Sequence, residues 1–233
     1  MYGFGPMNMM WDRTYILIII GMVLSMLASA YVSRTFKKYA DVKTKKGYTG
    51  AQVAQMILDV NNIQNVAVQP IRGELNDNYN SATKILSLSE PVANVQSVSA
   101  IGVAAHECGH AVQDAVGYKP LIWRAALVPI ANFGTQVSFP LIIAGLFFGK
   151  FLITAGIVCF SAALVFQLVT LPVEFNASAR ALRILNEQEI LDQEEMSMAR
   201  HVLFAAALTY VAAAFASVLQ LLRLIMIYGD RRN

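Results

Sequence analysis

Four long stretches contain no Asp, Glu, Lys, Arg or His: Thr14–Ser33, Ala125–Gly149, Phe151–Val173 and Val202–Leu222. Each reaches the roughly 20 residues that a helix needs to cross about 30 Å of hydrocarbon. Between the first and second the pattern changes. In GYTGAQVAQMILDVNNI (47–63), Ala51, Ala54, Ile57 and Leu58 recur at helical spacing, Thr49 suits the start and Asn61–Asn62 the end. Val66 and Val68 then alternate with polar neighbours, and Ile85, Leu86 and Leu88 follow the turn-rich NDNYNS, which predicts two short strands. Residues 95–116 return to helical spacing. The expected fold is mainly α: a polytopic membrane protein with about four transmembrane helices and a small α+β domain. The expected segments are a membrane anchor (1–33), a polar region (34–120), a transmembrane hairpin (121–173), a short polar helix (174–201) and a last span (202–233).

Composition and charge sharpen this reading. Hydrophobic residues make up 56 % of the chain and charged residues 14 %, too apolar for an ordinary soluble domain. The net charge of +3 is small, and no basic cluster is interleaved with aromatics, so no nucleic-acid partner is expected. The first stretch is read as an uncleaved span, since no clear cleavage site follows it. Arg34, Lys37, Lys38, Lys43, Lys45 and Lys46 follow it, against Arg13 before it, which puts 34–120 and 174–201 in the cytoplasm. Arg231 and Arg232 at the far end oppose that orientation but are outnumbered. Cys108 and Cys159 form no disulfide framework and read as free thiols.

The candidate chemistry lies in IGVAAHECGHAVQ (101–113). On a helix, Ser99, Gly102, Val103, His106, His110 and Gln113 share one arc, and the remaining surface is nearly all apolar. Two histidines four apart are stacked neighbours and can offer nitrogens to one ion at about 2.0–2.1 Å, the zinc distance. Glu107, one residue on, is rotated by about 100°. It sits beside the metal and can take a proton from water, which is the mechanics of H-E-x-x-H metallopeptidases. Two ordinary buried histidines would be the bland alternative, but a buried Glu107 without a partner would then be costly.

A catalytic zinc usually has three protein ligands and an open position, so a third donor is needed. His201 is the remaining histidine. Glu174, in LPVEFNASARAL, stands at the inner end of the third span, where an acid is expensive without a partner. Two spans intervene after the histidine motif, so Glu174 emerges on its side of the membrane, as does His201. Pro172 suits a helix start there, and a salt bridge to Arg180 or Arg183 is the competing role for Glu174.

The blocks TGAQVAQMILDVNNI, GELNDNYN with TKILSLSEPV, AIGVAAHECGHAVQ, LPVEFNASARAL and AAALTYVAAA together resemble the YugP-type neutral zinc metallopeptidase family of bacterial membrane proteins, over nearly the full length. More distantly the chain resembles the HtpX-type membrane peptidases. The resemblance implies a zincin-like, gluzincin-type domain at the cytoplasmic face of the bacterial cytoplasmic membrane. It implies one zinc ion on His106, His110 and Glu174, with Glu107 as general base, and an edge strand, matched here by ATKILSLS, that binds the substrate backbone. The chain departs from the family where Asn78 lies within DNYNS and where Asn176 replaces an acid, which bears on the surroundings of the ligands rather than on the ligands.

The expected activity is hydrolysis of protein or peptide substrates by a membrane-bound zinc endopeptidase. His201, Tyr79 and Tyr210 are candidate oxyanion donors, His201 also being the alternative ligand. The rival reading is a zinc-containing membrane scaffold or chaperone without turnover; against it, a structural zinc normally has four protein ligands. A metal transporter is disfavoured because the spans hold almost no ionisable residues, and Asn132, Gln136 and Gln167 read as hydrogen-bonded between helices.

Overall fold

The computed structural model describes residues 13–228; Arg231 and Arg232 lie outside them. The described elements are α1 (Tyr15–Ala40), α2 (Gly50–Val60), β1 (Ala67–Ile71), β2 (Asn78–Asn80), β3 (Ile85–Ser89), α3 (Glu90–Ala93), α4 (Val98–Ala115), α5 (Lys119–Phe148), α6 (Lys150–Glu187) and α7 (Gln193–Tyr228). Four of them, α1, α5, α6 and α7, are long and apolar enough to cross a membrane. The chain gathers into two compact units. One takes the described parts of 1–28 and 209–233 with 124–169; the other takes 29–123 and 170–208.

The first unit is built from apolar helix segments whose outward side chains stay uncovered, as lipid-facing surfaces do. Phe147, Phe148 and Phe151, around the α5–α6 turn at Gly149, are about 80 % exposed. Small residues let these helices approach closely, as expected where lipid removes the hydrophobic drive for helix pairing. A Cβ on Gly134 would strike the Cys159 carbonyl, and one on Gly156 would lie 2.7 Å from the Ser138 carbonyl oxygen.

The second unit holds the polar elements. α2 opens with a capping box: the Thr49 side chain accepts from Gln52 N–H, and the Gln52 side chain accepts from Thr49 N–H. The sheet order is β1-β3-β2, with β1 parallel and β2 antiparallel to β3. Two expectations are corrected here. The turn-rich NDNYNS contains a real strand, β2, because Asn78–Asn80 pairs with Ile85–Ser87 across a turn at 81–84. And β3, the segment matched to a substrate-binding edge strand, is the central strand, with both of its sides taken by neighbours. The edges belong to β1, which carries Pro70, and to β2.

A third correction concerns Pro172. It does not start a helix; it lies inside α6. A proline within a helix loses one hydrogen bond and crowds the preceding turn. Here the apolar stretch before it has no water to satisfy a broken backbone, and the bonds on either side keep the helix running. Glu174 therefore sits within a continuous helix that runs unbroken through 173, and α7 likewise passes through 201 without a break. The core of this unit, with Ile57, Leu58, Leu86, Leu88, Ile101 and Leu185 fully buried, packs α2, the sheet and α6 around α4.

Candidate metal centre

The motif helix is central to this unit. Ser97 caps α4, accepting from Ala100 N–H at 3.2 Å, and every residue of α4 from Val98 to Gln113 except Val103 is buried. One contact sets how near α6 comes. A Cβ on Gly109 would fall under 3.0 Å from the Ala177 carbonyl oxygen and 3.0 Å from its carbon. Glycine at this position, between the two histidines, is what lets the backbones touch.

That approach brings three donors together. His106 Nε2 lies 3.2 Å from Glu174 Oε2, and His110 Nε2 lies 3.5 Å from the same oxygen. The two imidazoles meet edge-on with centroids 4.9 Å apart. One ligand atom from each of His106, His110 and Glu174 lies within 4.8 Å of the others, and Glu174 is only 1 % exposed. The competing role for Glu174 is not taken up. Arg180 Nε donates instead to Asn176 Oδ1 at 2.7 Å, and Arg183 pairs with Glu187. Two imidazole nitrogens and a carboxylate oxygen, converging in a buried place with no thiolate among them, could hold a metal ion and are donors of the types that zinc takes.

The far sides of the imidazoles are also occupied. His106 Nδ1 is 3.0 Å from Ser178 Oγ, and His110 Nδ1 is 3.0 Å from Gln113 Oε1. Gln113 Nε2 donates to the Val173 carbonyl at 2.8 Å and to Asn176 Oδ1 at 3.0 Å. The Arg180 guanidinium also stands over the Tyr118 ring. Sequence reasoning put Gln113 on the histidine face without giving it a task. Ser178, one turn past Glu174, could have been found by that spacing. Gly109 could not, because its importance depends on where α6 runs.

Glu107 is 8 % exposed, and among the described residues its carboxylate has no hydrogen bond or ion pair to a protein group. The other singled-out residues lie elsewhere. His201 is exposed, stacks on Tyr39 with a 9° interplanar angle and is not one of the three converging donors. The Tyr79 hydroxyl donates to Asp114 Oδ2 at 2.6 Å, and Lys84 pairs with the same carboxylate. Burial, then the Asp114 carboxylate, hold the Tyr79 phenol above its usual range. This cluster ties β2 and the turn before β3 to the last turn of α4. Asp77, beside it in sequence, accepts from the Ser89 N–H and hydroxyl, yet burial raises its carboxyl above the ordinary range. Tyr210 falls in the other unit.

Residues 14–229 match the profile of a family described as "Putative neutral zinc metallopeptidase". The chain is 44 % identical, over 218 residues, to a Bacillus subtilis (strain 168) protein named "Putative membrane protease YugP", covering 93 % of this chain and 97 % of that one. No solved structure matches.

Proposed function

This chain belongs to the neutral zinc metallopeptidase family, and from that premise we propose that it is a membrane-embedded zinc endopeptidase of the gluzincin type. The observation that supports this reading is the convergence of His106 Nε2, His110 Nε2 and Glu174 Oε2. These residues would hold one zinc ion. When bound, zinc acidifies a water and polarises the scissile carbonyl. Glu107 follows the first histidine on the same helix and, among the described residues, has no protein partner for its carboxylate, so it is available to take the proton of the attacking water and hand it to the leaving amine. Burial around the site strengthens each of these electrostatic interactions.

The charge bias after α1 supports an orientation with this site at the cytoplasmic face of a bacterial cytoplasmic membrane. The substrates would be protein or peptide segments presented near that surface. The deciding experiment compares the detergent-solubilised full chain with Glu107→Gln for zinc content and for cleavage of a denatured protein substrate. The expected result is equal zinc and loss of cleavage in the variant. Undiminished cleavage removes Glu107 from the mechanism, and an intact protein that holds zinc but never cleaves returns the scaffold reading.

A further inference from the structure

The two ligand histidines are not held alike. His106 Nδ1 faces Ser178 Oγ, a hydroxyl that can donate or accept, so its partner allows either tautomer. His110 Nδ1 faces the side-chain amide of Gln113, where the direction of every bond is fixed from outside.

The Val173 carbonyl can only accept. The Gln113 atom 2.8 Å from it must therefore be the amide nitrogen. The other end of that amide, 3.0 Å from His110 Nδ1, is then an oxygen, which can only accept. His110 must then carry a proton on Nδ1, so that in the neutral ring Nε2, 3.5 Å from Glu174 Oε2, is the nitrogen with a lone pair for a metal. The second hydrogen bond of Gln113 obeys the same logic. It reaches Asn176 Oδ1, and Arg180, which can only donate, fixes that atom as the oxygen from the other side. A backbone carbonyl and a guanidinium, two groups whose polarity cannot reverse, thus set the sense of the whole chain.

We propose that Gln113, oriented by the Val173 carbonyl and by Asn176 with Arg180, is a positioning residue that locks His110 in the Nδ1–H tautomer before metal arrives. The proposal rests on the metallopeptidase reading for its purpose, but the tautomer lock is a property of the protein without metal. Partners of this kind typically alter metal affinity by about 10–100-fold when removed. Asn176 supplies the one feature the chain needs, an oxygen that accepts two donors.

The test uses the full chain, labelled with 15N-histidine, in detergent and without metal. Imidazole nitrogen shifts should show His110 protonated at Nδ1 in the wild type. They should show a mixture of tautomers in Gln113→Leu, which keeps volume but has no acceptor. Zinc titration against a chelator should give a Kd about 10–100-fold weaker for Gln113→Leu. Wild-type His110 protonated at Nε2 alone, or a Gln113→Leu variant with unchanged tautomer and affinity, overturns the proposal. The wild-type spectrum decides even if the leucine variant does not fold. Failure of the peptidase reading would look different: the tautomer would be as stated, but the wild type would bind no zinc or would bind it and never cleave.

Discussion

Gly109→Ala isolates the geometry on which the site depends. The added Cβ would lie 3.0 Å from the Ala177 carbonyl carbon and 3.1 Å from its Cα, with the oxygen closer still. Carbon atoms sit comfortably at about 3.5–4.0 Å, so α4 and α6 must part by roughly 0.5 Å or more. Ala177 is less than one turn from Glu174. Metal–ligand distances tolerate only about ±0.2 Å, so the third donor leaves its range. Overpacking of this kind costs about 1–3 kcal/mol. Gly102→Ala supplies the internal control, because its Cβ would meet nothing nearer than Ala199 at 3.8 Å. Both substitutions gain the same helix propensity, about 1 kcal/mol, so the difference between them is the collision. We expect Gly109→Ala to unfold about 1–3 kcal/mol more easily than Gly102→Ala and to bind zinc at least about tenfold more weakly, measured by denaturant unfolding without metal and by chelator competition. Equal zinc affinity and equal stability in the two variants would refute the argument that α4–α6 contact at Gly109 sets the ligand spacing.

Removal of the third donor should be the harshest change: Glu174→Ala is expected to lower zinc affinity well beyond the roughly 100-fold limit of an outer partner, whereas His201→Ala leaves it unchanged, and chelator titration of both variants would expose the opposite order. Tyr79→Phe removes one hydrogen bond to Asp114, so it should cost about 0.5–1.5 kcal/mol of stability with kcat within a few-fold; a fall of about 100-fold or more would make Tyr79 an oxyanion donor. Asp77 has a raised carboxyl, so its folded form holds a proton more tightly than the unfolded chain. Its contribution to stability is fullest in acid and is lost as pH rises through the window just above the usual carboxylate range. Asp77→Asn should therefore flatten the stability profile there, and an unchanged slope would count against the burial argument. A cysteine at Ala82, which is exposed, should resist an impermeant thiol reagent added to intact cells, and efficient external labelling would reverse the proposed orientation.

Much of this was legible in the residues alone, for identifiable reasons. The four membrane-length helices declared themselves through uninterrupted apolar length, α2 through Thr49 and its spacing, and the histidine pair through the four-residue step from His106 to His110. Glu174 was one of two candidates because side of membrane can be counted from spans, but distance cannot. What brings it, rather than His201, beside the two histidines is tertiary: α6 lies against Gly109, while His201 turns outward onto Tyr39. Strand order was the weakest point. Ile85–Ser89 shows its apolar alternation plainly, but nothing in it says that Asn78–Asn80, three polar-looking residues, will pair along one side. Pro172 misled because proline is a stop signal in water, and the stretch before it is built for a medium in which an interrupted helix is worse than a strained one.

Cys108 sits between the two histidines in sequence and points away from both, since two residues along a helix is a turn of about 200°. Its thiol donates to the Ala54 carbonyl at 3.6 Å, and burial, with the Glu107 charge beside it, pushes its pKa up. A thiolate able to swing toward the donors would supply a fourth protein ligand and convert an open zinc site into a closed one. By wedging this sulfur against α2, the fold keeps the motif from poisoning itself. The same burial denies oxidants and alkylating agents their target, because only an exposed, ionised sulfur reacts readily. The motif thus carries a soft nucleophile that stays chemically silent for as long as the helix remains packed, and its sudden reactivity would serve as an internal alarm for local unfolding around the site.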